Sequence, residues 1–449
     1  MEEKSELENE LMRSTSPKPS VPNGSKGNEC EQRETRITKE NLYMVLALWM
    51  EEFPVVEQTS SAKRLNKVGV VFVLPTDRVL AADCSRDGVH GVARVMVNHC
   101  GKLEGCKVFV SRKPCSLCAK LLVQSKVSRV FYLPIEPESE NEGEIARADN
   151  LFKNSSVGQS VFVPCVEQKV LDKLEDKLPK EIITPDDISE CRDNLLKKCG
   201  WSAEWFARAQ ASLPWPCFEG KMKSQVDNDF KSLIKWIAVV KAPMDKGVAF
   251  PKVKLTSDSR VVPDCDADNF PDSKTAYHMM IFAKMLARQT DDPKTGVGAV
   301  IVRGQVPDIV SLGWNGFPSK ALYGEFPRAS DDDRALQKKF PYVIHAEQNA
   351  LMVRNVKDLT DGILFVTKPP CDECAPMIKL SGVKTIVIGE KIEKSRGGEL
   401  SYNLIKEYIK EGIMTCYQME ATKTKAKRLA SDPETRKRLK SSCSNSNDV

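Results

Sequence analysis

The residues best suited to chemistry sit in two short runs. His345-Ala346-Glu347 sets an imidazole two residues before a carboxylate, and Pro370-Cys371-Asp372-Glu373-Cys374 sets two thiols three residues apart. Zinc takes imidazole nitrogen and thiolate sulfur in a tetrahedron, and two thiols on the first turn of a helix can face one ion. The helix N-terminus favours their thiolate forms, and Pro370 just before the turn presets a helix start. With His345 from a second helix, three positions are filled and the fourth is left for water, the mark of a catalytic site. Glu347 lies on the same turn as His345 and can reach that water without being a ligand. Zinc brings the pKa of such a water towards about 7. The carboxylate can then take a proton from it and pass it to a substrate nitrogen. The chain holds four histidines, His90, His99, His278 and His345, so any histidine ligand comes from these.

An earlier stretch follows the same plan. His90 precedes Cys115 by 25 residues and Cys118 follows, while 26 residues separate His345 from Cys371. VGVVFV and RVFYL bracket the first set as VGAVIV and KTIVIG bracket the second. Shared order with near-equal spacing reads as two tandem domains. The first copy reads His90-Gly91-Val92, with valine where the second has glutamate. Valine cannot move protons, so this copy is expected to be catalytically silent. His90, Cys115 and Cys118 are expected to hold a second zinc that supports the fold; a structural histidine without metal is the alternative reading.

The elements that must position these groups follow from hydrophobic periodicity. Helices are expected at 41–53, from His90, from Cys115, at 273–289, near His345, from Cys371 and at 402–412. Strands are expected at 68–75, 79–83, 107–111, 129–133, 297–302, 309–314, 363–367 and 384–389. The acidic stretch 135–157 reads as a loop or insertion. The middle reads as helices broken by prolines, including LKKCGWSAEWFARAQASL and FKSLIKWIAVV, with no chemistry assignable to it. The organisation is a disordered segment 1–36, a first domain 37–165, a helical linker 166–268, a catalytic domain 269–420 and a basic disordered tail 421–449.

Composition bounds the class. The 449 residues are 41% hydrophobic and 29% charged, enough for more than one core. No run approaches the roughly 18 apolar residues of a membrane span, and the polar start MEEKSELENE has no secretory h-region. Fifteen cysteines without an export signal read as reduced thiols, some of them metal ligands. The net charge of +5 sits entirely in residues 421–449, which carry eight basic and three acidic residues. A neutral body suits a small substrate better than a polyanion. In the tail, Lys425, Lys427 and Arg428 precede Arg436, Lys437, Arg438 and Lys440, the two-cluster pattern of a nuclear import signal. That pattern predicts an import-receptor partner and both cytoplasmic and nuclear residence.

The runs HAEQNAL, PPCDECAPMIKLSGVKTIVI and GWNGFPS resemble the cytidine and deoxycytidylate deaminase superfamily, and its deoxycytidylate branch most closely. The resemblance implies an α/β fold of two tandem deaminase-like domains, each a mixed five-stranded sheet flanked by helices, with zinc at helix N-termini. It implies hydrolytic deamination of cytosine to uracil in a free pyrimidine nucleoside or nucleotide, with release of ammonia. Asn315 is expected to contact the substrate sugar and Ala346 to lie against the base. Nucleoside-only relatives usually carry Cys in place of the ligand His345, and polynucleotide editors tend to show Ser-Trp-Ser before the Pro-Cys pair, which TKPPCDEC lacks. A small-molecule substrate, no nucleic acid, no membrane and a homo-oligomer are therefore expected. Phosphate would need cations, and Lys320, Arg328, Arg334, Lys338 and Lys339 are available, although most read as a solvated face. Two alternatives are a deaminase of single-stranded DNA or RNA and a non-enzymatic nucleotide-binding scaffold.

Overall fold

Apolar runs buried almost without a break, on both faces, build two sheets, and a helix precedes each. The computed structural model describes residues 36–54, 65–99, 102–178, 183–201, 221–255, 261–264, 272–304, 307–318, 326–329, 338–392 and 401–421. Residues 1–35, Lys320, Arg334 and the basic clusters from Lys425 to Lys440 lie outside them.

In the first unit, α1 (Lys39–Met50) is capped by Thr38, whose side chain accepts from Asn41 N–H. The sheet comprises β1 (Gly69–Val73), β2 (Val79–Cys84), β3 (Lys107–Val110), β4 (Arg129–Tyr132) and β5 (Gly158–Val161), in the order β2-β1-β3-β4-β5. The pairs β1/β2 and β1/β3 are antiparallel, while β3/β4 and β4/β5 are parallel, so the sheet is mixed. Its helices are α2 (Gly91–Asn98), α3 (Ser116–Gln124) and α4 (Glu142–Lys153). The helix α4 replaces the loop expected over 135–157. Its apolar stripe is thin, with only Ala148 and Phe152 buried, and its acidic density hides the period.

The middle contributes α5 (Gln168–Asp176), α6 (Pro185–Lys198), α7 (Lys221–Asp245), β6 (Val248–Ala249), β7 (Lys252–Leu255) and β8 (Val261–Asp264). The helix read across 196–213 breaks within its first described residues: α6 ends at Lys198 and Gly200 follows at φ +68°, a left-handed position that glycine adopts without strain, while 202–213 lie outside the described residues.

The second unit comprises α8 (Ser273–Ala287), β9 (Gly298–Arg303), β10 (Asp308–Trp314), α9 (Ala346–Val353), β11 (Gly362–Val366), α10 (Cys374–Leu380), β12 (Thr385–Ile388), α11 (Asn403–Lys410), β13 (Thr415–Gln418) and β14 (Glu420–Ala421). Its strands β10-β9-β11-β12-β13 repeat the order and the mixed pairing of the first sheet. The sheet does not stop at five strands. β7 and β8 extend it to seven, pairing antiparallel beyond β13. Part of the stretch read as a helical linker is therefore sheet edge. Lys252 and Lys254 face out around buried Val253, a pattern too short to stand out between prolines.

Close approach of helix to strand is written into a matched pair of glycines. A Cβ on Gly298 would lie 1.9 Å from the Ala283 carbonyl oxygen of α8, and one on Gly69 would lie 1.9 Å from that of Ala47 in α1. Both units thus seat the preceding helix on the sheet in the same way.

The units share one core. Residues 41–50 of α1 are all buried, and Leu42 to Met50 join a cluster that includes Phe230, Trp236, Met279 and Phe282. The Trp49 ring stacks on His278 at 4.9 Å, and its Nε1 donates to the His278 carbonyl at 3.3 Å. At the facing edges, β2 packs on β10, and Arg86 and Arg94 both bind Asp308. His99 Nε2 and Asn355 Nδ2 meet at 2.8 Å.

His278 makes this joint acid-sensitive. Burial, with Lys67 adding to it, pushes the imidazole down to about 3. A histidine in the unfolded chain titrates near 6.5. The folded value is depressed, so this contribution is complete above about pH 6.5 and is lost as pH falls towards about 3. The loss is at most about 1.4 kcal/mol per pH unit. Thermal melts between about pH 7 and 4 should show stability falling in that window, with a shallower fall in His278→Phe.

Candidate active site

His345 is the N-cap of α9, with an extended backbone (φ −76°, ψ 157°), and Ala346 and Glu347 open the helix. The His345 N–H donates to Gln348 Oε1 at 2.9 Å, which fixes the imidazole at the helix start. Strand β10 lies directly beneath. A Cβ on Gly313 would come within 2.3 Å of the Ala346 carbonyl oxygen and 2.6 Å of Ala350 N. Only glycine lets the helix bearing His345 and Glu347 sit this close.

Helix α10 begins at Cys374, three residues later than expected, and Cys371 lies in the turn before it. The Cys371 carbonyl accepts from Cys374 N–H at 3.1 Å and Ala375 N–H at 2.9 Å, so the turn still aims both thiols at one point. In the first unit the helix α3 starts directly after Cys115, as expected.

The His345, Cys371 and Cys374 donor atoms converge. Nδ1 of His345 stands 3.3 Å from each sulfur. Zinc–nitrogen bonds of about 2.0 Å and zinc–sulfur bonds of about 2.3 Å at tetrahedral angles put N and S roughly 3.5 Å apart. The donor set therefore fits zinc in both chemistry and spacing. A hydrogen bond from Cys374, together with His345, holds the Cys371 thiol down at about 4, in the thiolate form a metal needs. The same sharing with Cys371, reinforced by burial, pushes the Cys374 thiol up.

Glu347 is buried, and burial pushes its carboxyl up to about 7, against the opposing pull of its own backbone N–H and of His345. A carboxyl near neutrality can both take and give a proton at working pH. It faces a cavity of about 300 Å³ lined by Ala346, Asn315, Phe340, Lys294, Lys368 and Tyr402 among others. The Asn315 carboxamide anchors the cavity wall: Oδ1 accepts from Val297 N–H at 2.7 Å and Nδ2 donates to Thr295 O at 2.8 Å. Lys339 is no solvated residue. It is 1% exposed and pairs with buried Asp292, which also meets Asn315. Arg328 stacks on Phe317 at 4.8 Å and donates to the Asp291 carbonyl, away from the cavity lining.

Sequence reasoning missed Asp292, Lys294 and Lys368 as cavity residues. Lys368 stood three positions before Cys371 and could have been found there, whereas Lys294 carried no such signal.

The sequence profile of the cytidine and deoxycytidylate deaminase zinc-binding region matches residues 46–134 and again 272–390. The chain belongs to the cytidine and deoxycytidylate deaminase family. Among deaminase relatives, it is 29% identical to Cytidine and dCMP deaminase domain-containing protein 1 of Danio rerio, over 82% of this chain and 87% of that protein. It is 36% identical to the deoxycytidylate deaminase of Homo sapiens over 24% of this chain, spanning 61% of that enzyme. A crystal structure of the dCMP deaminase of cyanophage S-TIM5 in complex with dCMP and dUMP is 22% identical, covers 33% of this chain and 98% of its own, and has a TM-score of 0.26.

Proposed function

We propose that the second unit deaminates the cytosine of a free pyrimidine nucleotide or nucleoside, converting it to uracil with release of ammonia. The observation carrying this reading is a buried Glu347 beside three convergent zinc donors at the head of a small cavity. Zinc held by His345, Cys371 and Cys374 would supply an acidified water that is nucleophilic near neutral pH. Glu347 does the proton work. It takes one proton from the water as the oxygen attacks C4 and delivers it to N3 of the ring; it then takes the second from the new C4 hydroxyl and gives it to the amino group, so that the C–N bond breaks, ammonia leaves and C4 keeps a carbonyl. Ala346, which lines the cavity beside Glu347, lies against the base, and Asn315, on the same lining, contacts the sugar.

The cavity volume lies at the lower end of the roughly 300–1,000 Å³ typical of small-molecule sites. Lys294 and Lys368 give it cations for a phosphate. Lys294→Ala should raise KM for phosphorylated substrates about tenfold with little change in kcat, and leave cytidine unaffected. Steady-state kinetics on the paired substrates measure this. The purified chain assayed against cytidine, deoxycytidine, dCMP, dCTP and single-stranded DNA tests the wider reading. Product from the small substrates supports it. Product from DNA alone favours the polynucleotide reading, and no product from any of them favours a binding scaffold. We further propose that the protein is a homo-oligomer and that the clusters from Lys425 to Lys440 direct part of it to the nucleus. A reporter fused to 421–449 that stayed cytoplasmic would refute the latter.

A further inference from the structure

We infer that His90, Cys115, Cys118 and Glu138 form a closed four-ligand zinc site in the first unit, with Glu138 occupying the position that a catalytic centre leaves to water. Four donors meet here, where the second unit brings together three among the described residues. His90 Nδ1 stands 3.5 Å from the sulfur of Cys115 and 3.5 Å from that of Cys118, the N–S separation that a shared tetrahedral zinc imposes, about 3.5 Å. Glu138 Oε1 lies 3.6 Å from the Cys118 sulfur and 2.7 Å from His90 Nδ1.

The carboxylate is held in place from every side. Its second oxygen, Oε2, accepts from Cys115 N–H at 2.9 Å. Its backbone N–H donates to Lys113 O at 3.0 Å and its carbonyl accepts from Asn66 N–H at 2.9 Å. Glu138 is 2% exposed, and a carboxylate so deeply buried needs a cation or a full set of donors. Cys115 caps α3, so the helix N-terminus adds its positive end to the same cluster.

This closes the first unit to chemistry twice over. Val92 sits at the position of Glu347 and is packed into the core, so the helix bearing His90 offers no carboxylate beside the metal. Glu138 takes the remaining coordination position, so no water is activated. A zinc with four protein ligands is a structural zinc. It would tie α2, α3 and the segment after β4 together, in the unit whose core joins that of the second.

The inference is independent of the activity proposed for the second unit, and its test reads metal coordination alone. The full-length chain carrying Cys371→Ser and Cys374→Ser is reconstituted with Co²⁺. One metal per chain is expected, with thiolate charge-transfer and tetrahedral d–d bands that do not change on adding azide. Adding Glu138→Ala should open the site, so that azide shifts the bands, and should weaken metal binding about tenfold or more in a chelator competition. If the double-serine chain fails to fold, the native chain with cobalt in both sites serves instead, and azide should alter the spectrum of one cobalt only. Azide shifting the bands while Glu138 is intact, or shifting both cobalt spectra in the native chain, would overturn the closed site. So would a folded double-serine chain that binds no metal, which would leave His90 and Glu138 as a plain ion pair.

Discussion

Glu347→Gln is expected to lower kcat by about 10²–10⁴-fold while the zinc content stays unchanged. Gln keeps the size and hydrogen-bonding shape of the side chain but cannot take or give a proton. Glu347 is not among the three convergent donors, so the metal has no reason to leave. KM should move little, because the carboxylate is needed when protons are in flight rather than to hold the ground state. Glu347→Asp shortens the reach by one methylene and should recover part of the rate, which a purely structural role would not predict. Steady-state kinetics beside metal analysis measure both. Wild-type activity in the Gln variant would remove Glu347 from the mechanism and with it the proposed reaction. Loss of zinc in the same variant would show that Glu347 supports the metal instead.

The convergence of His345, Cys371 and Cys374 was legible in the sequence because these residues sit at helix starts, where spacing and geometry are tied. Cys371 and Cys374 are separated by one turn, so three residues in the text become one point in space. The carboxylate facing them is two residues from His345 for the same reason. Glu138 was not legible. It lies in the acidic stretch 135–157, one carboxylate among several, and its role depends on where the chain goes after β4. No local period marks a ligand that arrives by tertiary folding. Lys339 was misjudged likewise. Its neighbours in sequence are charged, yet Asp292, 47 residues earlier, draws it into the interior.

The sheet tells the same story at larger scale. Strands β1, β3, β4 and β9 to β12 carry runs of Val, Ile and Phe and stand out by composition. Strands β7 and β13 lie further along the sheet and are more polar, carrying Lys252, Lys254, Thr415 and Gln418. Their pairing is decided by the neighbouring strand rather than by their own propensity. The unbroken apolar run from Leu42 to Met50 marks α1 as a helix buried all round, but which unit covers each of its faces is set by tertiary packing that a local reading does not give.

Cys374→Ser carries the other large effect. Cys374 is fully buried at the first position of α10, and its N–H is already bonded to the Cys371 carbonyl. Serine preserves that backbone bond and nearly the same volume. Its hydroxyl, however, is not ionised near neutral pH and is a poor zinc donor beside a thiolate. The second unit should therefore lose its metal, and activity should fall to the detection limit. Ligand binding and folding are linked, so the melting temperature should fall as well, and a chelator should produce the same fall in the native chain. Metal analysis, activity and thermal melts on the same samples test these together. Comparison with Glu347→Gln separates the causes: one variant keeps zinc and loses proton transfer, the other keeps the carboxylate and loses zinc. Full activity in a Cys374→Ser chain shown to hold no metal in the second unit would mean that the three convergent donors do not serve the chemistry at all.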